Sequence, residues 1–330
     1  MDFTLSDEQV LLRDTARALL ARHCPTALVR AHIDDPSVAE PLWKRMREWV
    51  VLGDGPATDL CLFLEECGAV LAPGPYFPTT VLALPLARAA GLALADELSA
   101  GAATATIAMA GSDGEWRPND QTTKTFVLEA DRVDHVLVVD ADGRLASVAA
   151  RDCPEPRRVG SIDSTRRVFE VDVSAASPAG EPVDVERWLQ RATVALAAEL
   201  LGTAGWLLAT TIDYAKQRVQ FDVPIGSFQA IQHKLADCSL DVERARSAVY
   251  YAAMCIDADD SDRHRAVHVA KAAAGRAATH CAKDGVQIHG GIGYTWDHDL
   301  HLFIRRAYAS EHLLGTSGWH HDRLADLILG

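Results

Sequence analysis

From Val185 onward the chain is written almost entirely in helical period, in stretches too long for anything but a bundle of helices. Trp188 to Gln217, Phe228 to Cys255 and Arg263 to Asp284 each carry apolar residues at three- and four-residue spacing. The first would run about 45 Å at a rise of ~1.5 Å per residue. Helices of that length must bury their apolar stripes against one another, and with a shorter C-terminal helix they imply a four-helix bundle over residues 183–330.

The preceding residues divide into two textures. Ser6-Asp7-Glu8-Gln9 has the form of a capping box, and Leu12, Ala16, Leu19 and Leu20 follow at helical spacing until Pro25. Trp43 to Val51, Leu60 to Leu71 and Val81 to Ala90 read the same way, with Pro73-Gly74-Pro75 as a turn, so residues 1–103 predict an N-terminal helical domain. Near residue 104 the period shortens. Thr125 to Leu128 and Val136 to Val139 are β-rich, and Asp142-Gly143 is a hairpin signal leading into Arg144 to Ala149. Phe169, Val171 and Val173 alternate with Glu170 and Asp172. Residues 104–182 therefore predict a small antiparallel β domain, and the fold class is mainly α with that β domain in the middle.

Charge and cysteine usage narrow the function classes. With 46 acidic and 32 basic side chains the formal charge is −14, which argues against a nucleic-acid surface, because such surfaces neutralise phosphates with clustered cations. The cysteines Cys24, Cys61, Cys67, Cys153, Cys238, Cys255 and Cys281 are scattered and never spaced as CxxC, so they read as reduced thiols without a disulfide framework or a zinc site. His298 and His301 read as surface polar residues, and no metal is expected. The first twenty residues lack the features of a signal peptide, and no run of 18 apolar residues occurs, so a cytoplasmic protein without membrane insertion is expected.

Two strings carry chemistry. In Val286-Gln287-Ile288-His289-Gly290-Gly291-Ile292-Gly293-Tyr294 the glycines would let a phosphate or ribose approach the backbone, or would simply end a helix. The order is not that of a Rossmann fingerprint, and no GxSxG elbow accompanies His289-Gly290-Gly291 to suggest a hydrolase. In Gln217-Arg218-Val219-Gln220-Phe221 followed by Pro224 to Gln229, Arg218 could cap a helix or pair with a pyrophosphate.

Taken together with the order helix, β, helix, these strings resemble the acyl-CoA dehydrogenase family of flavoproteins. The pattern R-x-x-F-G-x-x-I-x-x-F-Q runs from Arg218 to Gln229, with Asp222 where glycine is usual, and Q-x-x-G-G-x-G-[FY] runs from Gln287 to Tyr294. Leu314-Gly315-Thr316-Ser317 is similar to the family's E-G-T-S. The resemblance implies that Arg218, Phe221, Gln287, Gly290, Gly291 and Thr316 contact FAD, mainly its adenine and pyrophosphate half, across a subunit interface. It also implies α,β-dehydrogenation of an acyl-CoA thioester, with electrons passed to an electron-transfer flavoprotein.

The chain departs from that pattern where the chemistry is done. The customary catalytic base precedes G-T-S and is Leu314 here; the alternative position on the first bundle helix falls on Ala192. Neither takes a proton. Glu199, alone among apolar neighbours, is either a displaced base or one half of an ion pair, and Glu311 reads as a solvated face residue. The flavin-covering T-E-P-x-x-G-S-D and W-[IV]-[ST]-[NS] strings are reduced to Ala110-Gly111-Ser112-Asp113 and Lys124-Thr125-Phe126-Val127, and the segment between Val51 and Asp59 is short. The reading is a truncated subunit, similar to those of actinobacterial heterotetrameric enzymes acting on steroid-derived acyl-CoA esters, joined in an α2β2 complex to a second acyl-CoA dehydrogenase subunit that supplies the base. The alternatives are a complete homo-oligomeric dehydrogenase using Glu199, and a flavin-free scaffold.

Overall fold

A computed structural model of the chain describes residues 4–330. It begins with α1 (Asp7–His23), α2 (Thr26–Asp34), α3 (Glu40–Met46), α4 (Ala57–Val70), α5 (Leu84–Ala89) and α6 (Leu94–Ser99). Strands β1 (Ala105–Ala108), β2 (Thr123–Leu128), β3 (His135–Val139), β4 (Leu145–Ala149), β5 (Arg157–Arg158) and β6 (Val168–Asp172) follow. Then come α7 (Val185–Gln217), the strand pair β7 (Val219–Gln220) and β8 (Val223–Pro224), α8 (Gln229–Asp257), α9 (Arg263–His289), α10 (Leu300–His312) and α11 (Ser317–Leu329). The Ser6 capping box forms in full: the Ser6 hydroxyl accepts from Gln9 N, and Ser6 N donates to the Gln9 side chain.

The β residues make two three-stranded sheets, in the orders β1-β3-β4 and β2-β6-β5. Asp142-Gly143 turns β3 into β4, with Asp140 Oδ1 accepting from the backbone N–H groups of Asp142 and Arg144. The antiparallel expectation holds for β2–β6, β3–β4 and β5–β6 and fails for β1–β3, which runs parallel. The chain leaves β1, forms β2 in the other sheet, and returns, and a connection of that length permits a parallel pair.

The residues fall into two compact units, each discontinuous in sequence. One comprises Met1–Thr26, Cys61–Ala72 and Thr193–Gly330; the other comprises Ala27–Leu60 and Pro73–Ala192. In the first, α4 and α7 cross closely at Gly68 and Gly202. A Cβ on Gly68 would lie 1.9 Å from Glu199 O and one on Gly202 would lie 1.8 Å from Glu65 O, so only glycine fits at either. By length and composition α7 could cross a membrane, but 78% of its most apolar stretch is buried inside the protein. Its apolar residues are core, among them Val194, Leu196, Leu200 and Leu201. The single short C-terminal helix expected from sequence is two helices, α10 and α11. Leu314 (φ 58°) and Gly315 (φ 96°) take left-handed backbone between them, which no continuous α-helix accommodates.

Candidate functional site

The Arg218 and Gln287 strings meet at one end of the first unit. After α7, Arg218 N donates to Tyr214 O and Ile225 N donates back to Arg218 O, both at 2.8 Å, which closes the β7–β8 hairpin. Its tip is formed by Phe221 (φ 56°) and Asp222 (φ 66°), the pair of left-handed residues that defines a type I′ turn. Glycine is the residue that adopts this backbone freely, so Asp222 holds it at a cost of about 1 kcal/mol. Phe221 is 87% exposed and stands edge-on to Phe228. Arg218 is exposed, and among the described residues its guanidinium makes no hydrogen bond or ion pair.

The end of α9 packs against that hairpin. Tyr214 stacks on the His289 ring at 4.2 Å and its hydroxyl donates to His289 O. Ala215, Ile225 and Ile288 form a small core beneath, with Tyr214, Ile231 and Leu235 around it. Gln287 is exposed. Gly290 (φ 66°, ψ −144°) caps the helix in backbone open to glycine, and a Cβ on Gly290 or Gly291 would meet nothing within 4 Å. The glycines are thus dictated at Gly290 by conformation, and the backbone at both faces open space. His289 is buried, and burial holds its pKa below the usual value.

The remaining predicted contact lies elsewhere. Thr316 caps α11, accepting from Trp319 N at 3.1 Å, and its neighbour Ser317 abuts Gly275 of α9. From Gly275 to Gln287 is 287 − 275 = 12 helical residues, about 18 Å at ~1.5 Å each. Within one chain, Thr316 therefore does not join Arg218 and Gln287.

Around Thr316 the structure holds a polar cluster that sequence reasoning missed. Lys271, fully buried on α9, donates from Nζ to Glu311 O and Gly315 O, both at 2.8 Å. Burial lowers its pKa to about 8. His320 donates from Nε2 to Leu314 O at 3.0 Å and its Nδ1 lies 2.8 Å from His268 Nδ1. Burial pushes its pKa down to about 3, with Lys271 and His268 adding to the shift, so it is neutral, and Nδ1 serves as acceptor. Lys271 and His320 thus clamp the left-handed turn at Leu314, whose own side chain is buried. Glu311, expected on a solvated face, instead accepts from Ser317 N at 2.6 Å, where it meets the positive end of α11. A lysine inside Val269-Ala270-Lys271-Ala272-Ala273-Ala274 was the available signal, since nothing else in that run is polar.

At the two positions where the resemblance expects a base, Ala192 and Leu314 are both buried apolar residues. Glu199 takes the ion-pair alternative. Its carboxylate receives Arg306 Nη1 of α10 at 2.8 Å, with the side chains 5% and 2% exposed. A carboxylate committed to a buried guanidinium is a poor proton acceptor. A cavity of about 320 Å³ also occurs in this unit, reached by Arg13, Arg17 and Arg246. Each of those arginines pairs with an acidic side chain, Asp14, Glu66 and Glu65 respectively, so among the described residues the cavity presents no spare cation to a phosphate.

In the other unit, β2 bulges between Lys124 and Val127, with Phe126 at φ 53°. Lys124 turns inward and donates from Nζ to Asn119 O and Oδ1 at 2.6 and 2.8 Å. The strand is thus occupied with its own loop, and Thr125 Oγ1 donates to Gly111 O at 2.7 Å.

Residues 180–329 match the family model described as acyl-CoA dehydrogenase, C-terminal domain. Acyl-CoA dehydrogenase IpdE2 of Mycobacterium tuberculosis is 32% identical over 325 residues, covering 94% of each chain. The chain belongs to the acyl-CoA dehydrogenase family. The Mycolicibacterium smegmatis IpdE2 is 31% identical over 94% of this chain and 96% of its own. Among solved structures, the Tcur3481-Tcur3483 steroid acyl-CoA dehydrogenase has a TM-score of 0.87 at 29% identity, with 99% of both chains covered. The ChsE4-ChsE5 complex from Mycobacterium tuberculosis has a TM-score of 0.86 at 24% identity and shares the fold. Within the acyl-CoA dehydrogenase fold, this chain keeps the Arg218 and Gln287 strings at one end of the bundle, and Leu314 and Ala192 are both buried and apolar.

Proposed function

We propose that this chain is the non-basic subunit of a heteromeric, FAD-dependent acyl-CoA dehydrogenase. It would hold part of the cofactor while a second dehydrogenase subunit supplies the base. The observation that carries this reading is Leu314: a buried apolar side chain in a left-handed turn clamped by Lys271 and His320, at the position where the resemblance to the family expects the proton acceptor. The turn is held by three hydrogen bonds, but the Leu314 side chain cannot take a proton.

The donor set at the Arg218 end suits half of a dinucleotide. A guanidinium without an acidic partner fits a pyrophosphate bidentately, open backbone at Gly290 and Gly291 lets a phosphate or ribose approach, and the exposed Phe221 ring offers a face for packing. When bound, FAD would supply the oxidant that accepts the substrate's β-hydride. Arg218 and Gln287 would bind and orient it, and Thr316, some 18 Å away along α9 by helical rise, would touch a different cofactor or a different part of one. That separation supports sharing across a subunit interface, as do the heteromeric neighbours Tcur3481-Tcur3483 and ChsE4-ChsE5. The first of these is a steroid acyl-CoA dehydrogenase, which makes a steroid-derived acyl-CoA the substrate class to try, with an electron-transfer flavoprotein as acceptor.

The test is co-expression with a full-length acyl-CoA dehydrogenase subunit from the same genome. Native mass measurement should show a mixed tetramer carrying flavin, active only when both chains are present, while the chain alone should be inactive. Arg218→Ala should lower flavin content without changing helical circular dichroism. A fully flavinated homotetramer of this chain, active by itself, would overturn the proposal.

A further inference from the structure

On α8, Lys234, Cys238 and Asp241 recur at intervals of four and three residues, and on α9, Arg276, His280 and Asp284 recur at intervals of four. These spacings put each set on one helical face, and the two faces meet. His280 Nδ1 lies 2.8 Å from Asp241 Oδ2, and His280 Nε2 lies 3.4 Å from Asp284 Oδ2. Lys234 Nζ is 2.6 Å from the other oxygen of Asp284, Oδ1, and Arg276 Nε is 3.3 Å from Asp241 Oδ2. Cys238 completes the group: one ligand atom each from Cys238, His280 and Asp284 lies within 4.8 Å of the others.

We propose that Cys238, His280 and Asp284 bind a thiophilic divalent cation, with zinc the best fit, and that the ion pins α8 to α9. Thiolate, imidazole and carboxylate together select zinc-like ions over magnesium or calcium. Bonds of about 2.0–2.1 Å around a tetrahedral ion put its nitrogen and oxygen ligands roughly 3.3 Å apart, close to the spacing already present between His280 and Asp284. Asp241 stands where the supporting carboxylate of a zinc-bound histidine stands: it can accept the Nδ1–H of His280, which leaves the Nε2 lone pair on the side of Asp284. Lys234 occupies only Oδ1 of Asp284, which leaves Oδ2 for the ion. His280 is 28% exposed, which gives an ion a way in. No spacing rule reveals this set, because its members come from two helices. Without a cation the same His280 ring lies between the carboxylates of Asp241 and Asp284.

The full chain, stripped with chelator, should be titrated with cobalt(II) alone. One cobalt per chain should bind, with a thiolate-to-cobalt band in the near ultraviolet that zinc then abolishes. Cys238→Ser should remove the band, His280→Gln should weaken binding by at least tenfold, and Asp241→Asn should weaken it by about 10- to 100-fold. Cys281→Ser should leave the band in place. Zinc should raise the melting temperature of the unaltered chain and of Cys281→Ser, but not of Cys238→Ser. Absence of a thiolate-to-cobalt band in the unaltered chain, or its persistence in Cys238→Ser, overturns the proposal; the first of these holds even if a variant fails to fold.

Discussion

Glu199→Gln is expected to act on stability and not on proton abstraction. The substitution keeps the side chain's volume, so it opens no cavity in α7. It removes the charge that faces Arg306 Nη1 at 2.8 Å, in a pair whose side chains are only 5% and 2% exposed. Taking one partner from a buried pair costs about 3–5 kcal/mol, because the remaining charge loses its counter-ion but stays out of water. The glutamine oxygen can still accept one hydrogen bond, which places the expected loss at the lower end, about 3 kcal/mol. For a chain of 330 residues unfolding as one cooperative unit, that is a fall of roughly 4–5 °C in melting temperature. Calorimetry of the chain measures it, and Glu199→Met combined with Arg306→Met should recover much of the loss, since an apolar pair of similar volume leaves no charge buried without Glu199. An unchanged melting temperature with dehydrogenase activity abolished in the proposed two-subunit assembly would refute the reasoning and make Glu199 the base.

Three further outcomes follow from the geometry. Asp222→Gly should stabilise the chain by about 1 kcal/mol in urea denaturation, because glycine adopts the turn's φ of 66° without strain. Gly202→Ala should destabilise it by about 1–3 kcal/mol, since its Cβ would sit 1.8 Å from Glu65 O and α4 must move away from α7; unchanged stability would mean the helices separate freely. Glu129, buried with Oε2 unpartnered, has its carboxyl raised to about 7 by burial. The folded state therefore favours the protonated form: stability is fully present below about pH 4.5 and is lost as pH rises toward 7. Glu129→Gln should gain up to ~3 kcal/mol over the unaltered chain at pH 8 and nothing at pH 4.5, and an equal gain at both would sink the assignment.

Much of the candidate site was legible because its signals are local. Gly290 is demanded by a backbone conformation that only glycine adopts freely, and Arg218 follows a helix end, so both stand out in the string itself. The long helices declare themselves by period, the Ser6 box by hydrogen bonds that span three residues, and β6 by the alternation of Phe169 and Val171 with Glu170. What stayed hidden depends on partners distant in the chain. Glu199 had two readings until Arg306, 107 positions later, was placed against it. Lys271 showed only as a polar residue in an apolar run, and its partners are two backbone carbonyls of a turn some forty residues on, which carry no side-chain signature.

The sequence by itself determined the family, the helical and β segments, and the absence of a carboxylate at Leu314 and Ala192, because motif identity and hydrophobic period are written within short windows. Only the tertiary structure decided that β1 and β3 run parallel, that α10 and α11 are separate helices, that Thr316 stands apart from Arg218 and Gln287, and that Cys238, His280 and Asp284 converge. The physical reason is the same in each case. These features depend on which helix face or strand edge meets which, and that is settled by burying apolar area over the whole chain, where a residue's nearest neighbours in space are rarely its neighbours in sequence.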